Sequence, residues 1–296
     1  MYRRFGEVDA AGTSPLYERV AVALSESDQA LRAIEGAPAR QRRPAVILAA
    51  LHDLALAGRA PALAAAYAAA DGEAAARAAI DTLLRMTDAV VAIAGRQPVR
   101  ANETGRCPVL YPAVAEAARR AGANAVGLID VGCSAGLNLN VDRVGITYSN
   151  GQSLGDPSSP VQLAASIVGD RPVPARAMPE VVARIGVDLD PVDVTDADST
   201  RWLRACLAPD QSERAARLEA ELTLDRPDGR VGVSGGGRSR ARDTNIWRSP
   251  RLRPQHHRPG SVRPVGSARR GHRPLLVAGP HAVMAGRLLA SGHGSG

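Results

Sequence analysis

Apolar positions recur at helical spacing through the first 120 residues or so, then give way to short continuous apolar runs after residue 125. Ser14-Pro15 reads as a helix start, with serine as N-cap and proline at the first helical position. Leu16, Val20, Val22 and Leu24 follow as the apolar face of that helix. Residues 43–57 are predicted as a strongly apolar helix stopped by Gly58. Residues 73–93 are predicted as one longer helix with Ala76, Ile80, Leu83, Leu84, Met86 and Val90 near helical spacing. Residues 111–121 read as a short alanine-rich helix closed by Gly122.

From residue 125 the pattern is that of a sheet. Residues 125–131 form a compact apolar run before a glycine cluster, as expected of a buried strand in a parallel sheet. A short helix is expected over 136–143, a strand over 146–148 and a loop over 151–160, with further apolar runs at 161–168 and 181–187. Residues 196–207 read as a helix led by acids. Asp210-Gln211-Ser212-Glu213 reads as a capping box for a last helix over 214–222. Helices followed by alternating strands and helices predict an α/β chain: a helical N-terminal region, an incomplete Rossmann-like sheet and an irregular C-terminal tail. The expected boundaries are 1–122 for the helical region, 123–225 for the Rossmann-like half-domain and 226–296 for the tail.

Charge and composition set the tail apart. Of the 296 residues, 37 are basic, and all of these are arginine. Residues 1–225 hold 23 arginines against 28 acids, whereas residues 226–296 hold 14 against 2, so the whole positive excess lies at the end. The tail also holds five of the six histidines and is rich in glycine and proline. A nucleic-acid-binding arm, a flexible extension and a shifted reading frame all give basic stretches. The Arg/Gly/Pro/Ser/His mixture is the one that GC-rich codons give out of frame. A single aromatic residue, Trp247, stands among the tail's arginines, which makes no platform to stack on bases, so nucleic acid is not the expected partner.

The N-terminus has no apolar stretch after its arginines, and the apolar region 44–70 is interrupted by His52, Asp53 and Arg59, so neither a secretory signal nor a membrane span is expected. Cys107, Cys133 and Cys206 are widely spaced and form no CxxC pair. The first two read as small packing residues, and a reduced cytoplasmic setting is expected. No HExxH or comparable metal set occurs, and no metal is expected.

The chemistry concentrates at Asp130-Val131-Gly132-Cys133-Ser134-Ala135-Gly136-Leu137-Asn138, directly after the first strand. An acid followed by small residues two, four and six positions later resembles motif I of the class I S-adenosylmethionine-dependent methyltransferases. Gly132 allows a sharp turn off the strand, and Gly136 allows close approach of backbone to a ligand. Ser134 stands where those enzymes often have a third glycine. The turn is expected to set main-chain amides where a nucleoside could rest, with Asp130 supporting it. Asp188, in Gly186-Val187-Asp188-Leu189-Asp190-Pro191, is the candidate ribose acceptor. It lies 52 residues after Gly136 instead of about 20, so an inserted hairpin over roughly 145–180 is expected. Asn102, Glu103 and Arg106, in a polar knot before the strand, are candidate pocket residues together with Asn138. The same loop also satisfies G-x-S-x-G, the nucleophile elbow of α/β-hydrolases, with Ser134 as nucleophile. Such an enzyme needs a histidine after the elbow, and here those occur only in the tail.

Several strings resemble one bacterial family, domain of unknown function 2332. They are Tyr2-Arg3-Arg4-Phe5, Ser14-Pro15-Leu16-Tyr17-Glu18, Asn102-Glu103-Thr104-Gly105-Arg106-Cys107, the 131–139 loop, Asp188-Leu189-Asp190-Pro191-Val192-Asp193-Val194-Thr195 and Arg201-Trp202-Leu203-Arg204. The resemblance covers about residues 1–224 and implies a helical region joined to a methyltransferase-like Rossmann domain. It also implies further strands after the last helix, where this chain has its arginine-rich tail. The expected function is that of an S-adenosylmethionine-dependent methyltransferase-like protein acting on a small molecule. The alternatives are a non-catalytic, truncated or frame-shifted remnant and a hydrolase using Ser134.

Overall fold

A computed structural model describes residues 1–96, 99, 104–169, 171–174 and 176–224, together with the backbone of residues 275–278. The tail expected over 226–296 lies outside the described residues apart from that short segment. The chain is α/β. In order it forms α1 (Tyr2–Arg4), α2 (Pro15–Glu26), α3 (Asp28–Glu35), α4 (Pro44–Leu56), α5 (Pro61–Ala68), α6 (Gly72–Arg85), α7 (Thr87–Arg96) and α8 (Cys107–Ala121). Then come β1 (Ala125–Val131), β2 (Gly145–Tyr148), β3 (Ser153–Gly155), β4 (Gln162–Ala165), β5 (Glu180–Val187), α9 (Ala197–Ala205), α10 (Ser212–Thr223) and β6 (Leu275–Ala278). Two compact units result: Met1–Ala101 with Val192–Leu222, and Asn102–Pro191 with Thr223–Gly296.

The first unit is helical. Ser14 caps α2 as its sequence predicts: its side-chain oxygen accepts the Tyr17 amide at 3.1 Å, and Pro15 occupies the first turn. A second cap comes from far along the chain. Asp210 accepts the Ser14 hydroxyl at 2.5 Å and the Leu16 amide at 3.0 Å. The capping box expected at Asp210–Glu213 therefore does not form around Asp210. Its carboxylate serves α2 instead, where the orphan N-terminal amides and the positive end of the helix dipole favour an anion. Helix α4 is apolar nearly all round and is correspondingly buried: Val46, Ile47, Leu48, Leu51 and Leu54 are fully enclosed. The helix expected over 73–93 is two helices. The backbone leaves the helical region at Met86 (φ −124°, ψ 30°), and the Thr87 hydroxyl donates back to the Leu83 carbonyl at 2.8 Å. Leu84 is exposed, although its spacing assigned it to the apolar face, while Ala76, Leu83 and Val90 are buried.

The second unit holds the sheets. Helix α8 begins earlier than the expected Tyr111, because Pro108 is tolerated in a first turn. It ends as predicted at Gly122, in the left-handed region at φ +63°. Pro112 lies inside it and has no N–H to give the Pro108 carbonyl. The Tyr148 hydroxyl donates to that carbonyl instead, at 2.6 Å. Strand β1 is the middle of a parallel three-stranded sheet ordered β5-β1-β6. Along it Val126, Leu128 and Asp130 are buried, and Gly127 and Ile129 only partly so. The expected loop over 151–160 contains β3, which pairs antiparallel with β2, and β4 runs parallel to β2 on its other side. This separate β3-β2-β4 sheet is the insertion that the long spacing before Asp188 requires.

Candidate functional site

Strands β1 and β5 run in parallel register to their last residues, Val131 opposite Val187. The Gly132 turn and Asp188 therefore leave the sheet side by side, although Asp188 lies 56 positions after Gly132 along the chain. Alternate residues of the turn are left-handed: Gly132 at φ +77°, Ser134 at +51° and Gly136 at +73°. Glycine adopts this conformation freely. Serine does so at a cost of about 1 kcal/mol, which is why glycine is the residue expected at the middle position.

The turn is laced to the end of β5. The Val187 carbonyl accepts the Gly132 amide at 2.7 Å and the Cys133 amide at 3.3 Å. Asp188 accepts the Ser134 amide through Oδ2 at 2.7 Å and the Asp190 amide through Oδ1 at 2.9 Å. The Gly136 amide closes a turn on the Cys133 carbonyl at 2.7 Å. The amides of Gly132, Cys133 and Ser134 are thus engaged within the protein and do not form the bare cradle the sequence suggests. What the turn leaves open is the exposed, side-chain-free surface of Gly132. Ser134 is 7% exposed, and its Oγ, like Oδ1 of half-buried Asn138, is enclosed without a hydrogen-bond partner among the described residues. Such groups are costly unless something satisfies them.

A buried ion pair fixes the elements that carry these residues. Arg184, in the middle of β5, donates Nη2 to both oxygens of Asp142, at 2.6 and 2.5 Å. Asp142 lies in the 3-10 turn Leu137–Arg143, so the pair ties that turn to the strand. Burial pulls the Arg184 guanidinium below its ordinary pKa, and the Asp142 charge partly offsets this. The sequence signal for this clasp was a lone arginine within an apolar run, which the periodicity reading passed over.

The structure brings Asp130, Gly132, Ser134, Gly136 and Asp188 together. Asp130 is buried at the end of β1 in register with Gly186, and Asn138 follows in the turn after Gly136. Arg106 is exposed, at the end of a short 3-10 turn, Thr104–Arg106, that packs against the 137–143 turn. Asn102 and Glu103 lie outside the described residues. Cys107 and Cys133 are buried free thiols, as packing residues should be. Residues 102–191 contain no histidine, so Ser134 has no imidazole base within this stretch. In the helical unit, His52 holds its Nδ1 3.0 Å from the Leu207 carbonyl and stacks edge-on against Tyr67. Among the described residues, no group of three or more His, Cys, Asp or Glu could hold a metal ion, and no single helix is long and apolar enough to cross a membrane.

No curated protein and no solved structure matches the chain. A family model described as an uncharacterized protein conserved in bacteria, domain of unknown function 2332, matches residues 1–232. The match takes in both the helices of the first unit and the turn between β1 and Asp188, and on it the chain belongs to this bacterial family.

Proposed function

We propose that the end of β1 is a nucleoside-cofactor site and that the chain is an S-adenosylmethionine-dependent, methyltransferase-like protein acting on a small molecule. The observation that carries the reading is the pairing of the left-handed Gly132–Gly136 turn with an acid at the end of the neighbouring parallel strand. This is where open α/β sheets bind ligands. The residues present fit the group. Gly132 permits close approach, Ser134 Oγ and Asn138 Oδ1 are enclosed oxygens in need of a partner, and Asp130 underpins the turn. Asp188, which accepts the Ser134 and Asp190 amides, stands at the strand end where an acid meets ribose hydroxyls in such sites. Bound there, S-adenosylmethionine would supply an electrophilic methyl group. The protein's part would be to hold that group and an acceptor in line and away from water.

Calorimetric titration of the full chain with S-adenosylmethionine and S-adenosylhomocysteine tests this. Binding that is abolished by Gly132→Val supports the reading. Absence of binding both in this chain and in a version with its frame corrected after residue 225 overturns it. Binding by the corrected version alone identifies this chain as a non-binding remnant. A second reading has one observation in its favour. The positive φ of Ser134 is the strained backbone that a nucleophile elbow needs. Covalent labelling of Ser134 by a fluorophosphonate probe would support a hydrolase, and an unlabelled Ser134 removes it.

A further inference from the structure

The string Arg201-Trp202-Leu203-Arg204 has no part in the turn after β1. It lies on α9 in the helical unit, where a cleft of about 170 Å³ opens among α4, α7 and α9. Asp53, Ile93, Arg96, Asp198, Arg201 and Trp202 line it. Asp53 is only 6% exposed and sits on the otherwise apolar inner length of α4, where an ionised carboxylate is costly without a partner. Arg201 is that partner: its Nε donates to Asp53 at 2.8 Å and its Nη1 to Asp198 at 2.7 Å. Its Nη2 makes no hydrogen bond among the described residues. Arg96 uses only Nε, toward the Ala92 carbonyl at 3.2 Å, and no described carboxylate meets its terminal nitrogens.

The lining therefore has an apolar floor, Ile93 and Trp202, and a rim bearing both signs of charge, Arg96 and Asp198. Two arginines and two aspartates leave the cleft neutral in sum. A simple anion would gain from Arg96 but face two aspartates. A simple cation would gain from Asp198 but face Arg96. A small molecule carrying both signs, with an apolar body, complements every part. Size points the same way, since about 170 Å³ is below the ~300 Å³ of ordinary cofactor pockets and suits a small molecule.

We propose that this cleft binds a free α-amino acid with an apolar side chain. Arg96 and the free edge of Arg201 take the carboxylate, Asp198 takes the ammonium group, and Ile93 and Trp202 receive the side chain. The proposal does not rest on the cofactor reading of the Ser134 turn.

The test is titration of the full chain, by calorimetry and by saturation-transfer NMR on the ligand methyl groups, with three compounds. These are L-leucine, 4-methylpentanoate, which lacks the ammonium group, and 3-methylbutylamine, which lacks the carboxylate. Leucine should bind with a Kd of roughly 0.1–1 mM, as expected of so few atoms, and each analogue about tenfold more weakly. Arg96→Gln and Asp198→Asn, both at exposed positions, should each weaken leucine about tenfold with the helical circular dichroism unchanged. No leucine binding up to about 10 mM would overturn the proposal. So would an analogue that binds as tightly as leucine, or leucine binding that both substitutions leave intact.

Discussion

The helical unit and the sheet unit use the left-handed backbone for different ends. In the helical unit Gly12, Gly58 and Ala70 adopt positive φ singly, each in the turn that follows a helical segment. They are punctuation, and a helix end needs no more. In the sheet unit Gly122, Gly151, Gly155 and Gly169 adopt it singly too, but Gly132, Ser134 and Gly136 adopt it at alternate positions of one turn, beside enclosed oxygens that lack partners among the described residues. Buried charge is handled alike in both. The helical unit neutralises Asp53 with Arg201, and the sheet unit neutralises Arg184 with Asp142. Strain that ends an element reflects folding alone. Strain concentrated in one turn at the end of β1, beside the end of β5, is what the proposed cofactor site would account for.

The comparison can be broken first where the sheet unit is tightest. Gly155 has φ +79°, and a Cβ there would collide with the Val144 carbonyl oxygen. Gly155→Ala should cost about 3 kcal/mol or more, read as a lowered urea midpoint, and an unshifted midpoint would show that β3 does not form against β2 as described. In the helical unit, Arg201→Met leaves Asp53 buried without its cation and should cost roughly 3 kcal/mol, recovered in large part by adding Asp53→Asn. Asp210→Ala removes the distant cap of α2 and should cost about 2 kcal/mol, more than Glu213→Ala, which would be the costlier change if the local capping box formed.

Smaller effects sharpen the contrast. Ala70→Gly and Ser134→Gly each relieve a left-handed non-glycine residue, and each should gain about 1 kcal/mol in thermal stability. Only Ser134→Gly should also alter the affinity for S-adenosylmethionine, since only that side chain lies at the proposed site. A final effect depends on pH. Burial lowers the His52 pKa below its ordinary 6.5, against the Leu207 carbonyl, which raises it. The unfolded chain therefore takes up the proton first as pH falls. The stability from neutral His52 is present above about pH 6.5 and is lost as the pH drops toward the folded value, and His52→Gln should flatten that part of the urea midpoint profile.

Local signals were legible without the fold. Ser14-Pro15 started a helix, Gly122 ended one, and the apolar run before Asp130 formed a strand, because each depends on groups within a few residues of one another. The turn at Gly132–Gly136 was legible for the same reason. The break at Met86 was not, since the apolar spacing runs on through it and the backbone change is confined to one residue. Likewise, β3 is three residues long and exists only because β2 is there to pair with it.

The sequence by itself determined the helix start at Ser14-Pro15, the helix end at Gly122, the strand β1, the sharp turn beyond it and the family. Helix caps, apolar periodicity and glycine-rich turns are settled by near neighbours along the chain. Only the tertiary structure decided that Asp188 meets Ser134 across 54 positions, that Asp210 caps α2 across 194, and that Arg201 finds Asp53 across 148. A charge or a spare hydrogen bond takes whichever partner burial brings within reach, and burial is a property of the packed chain and not of the spacing along it.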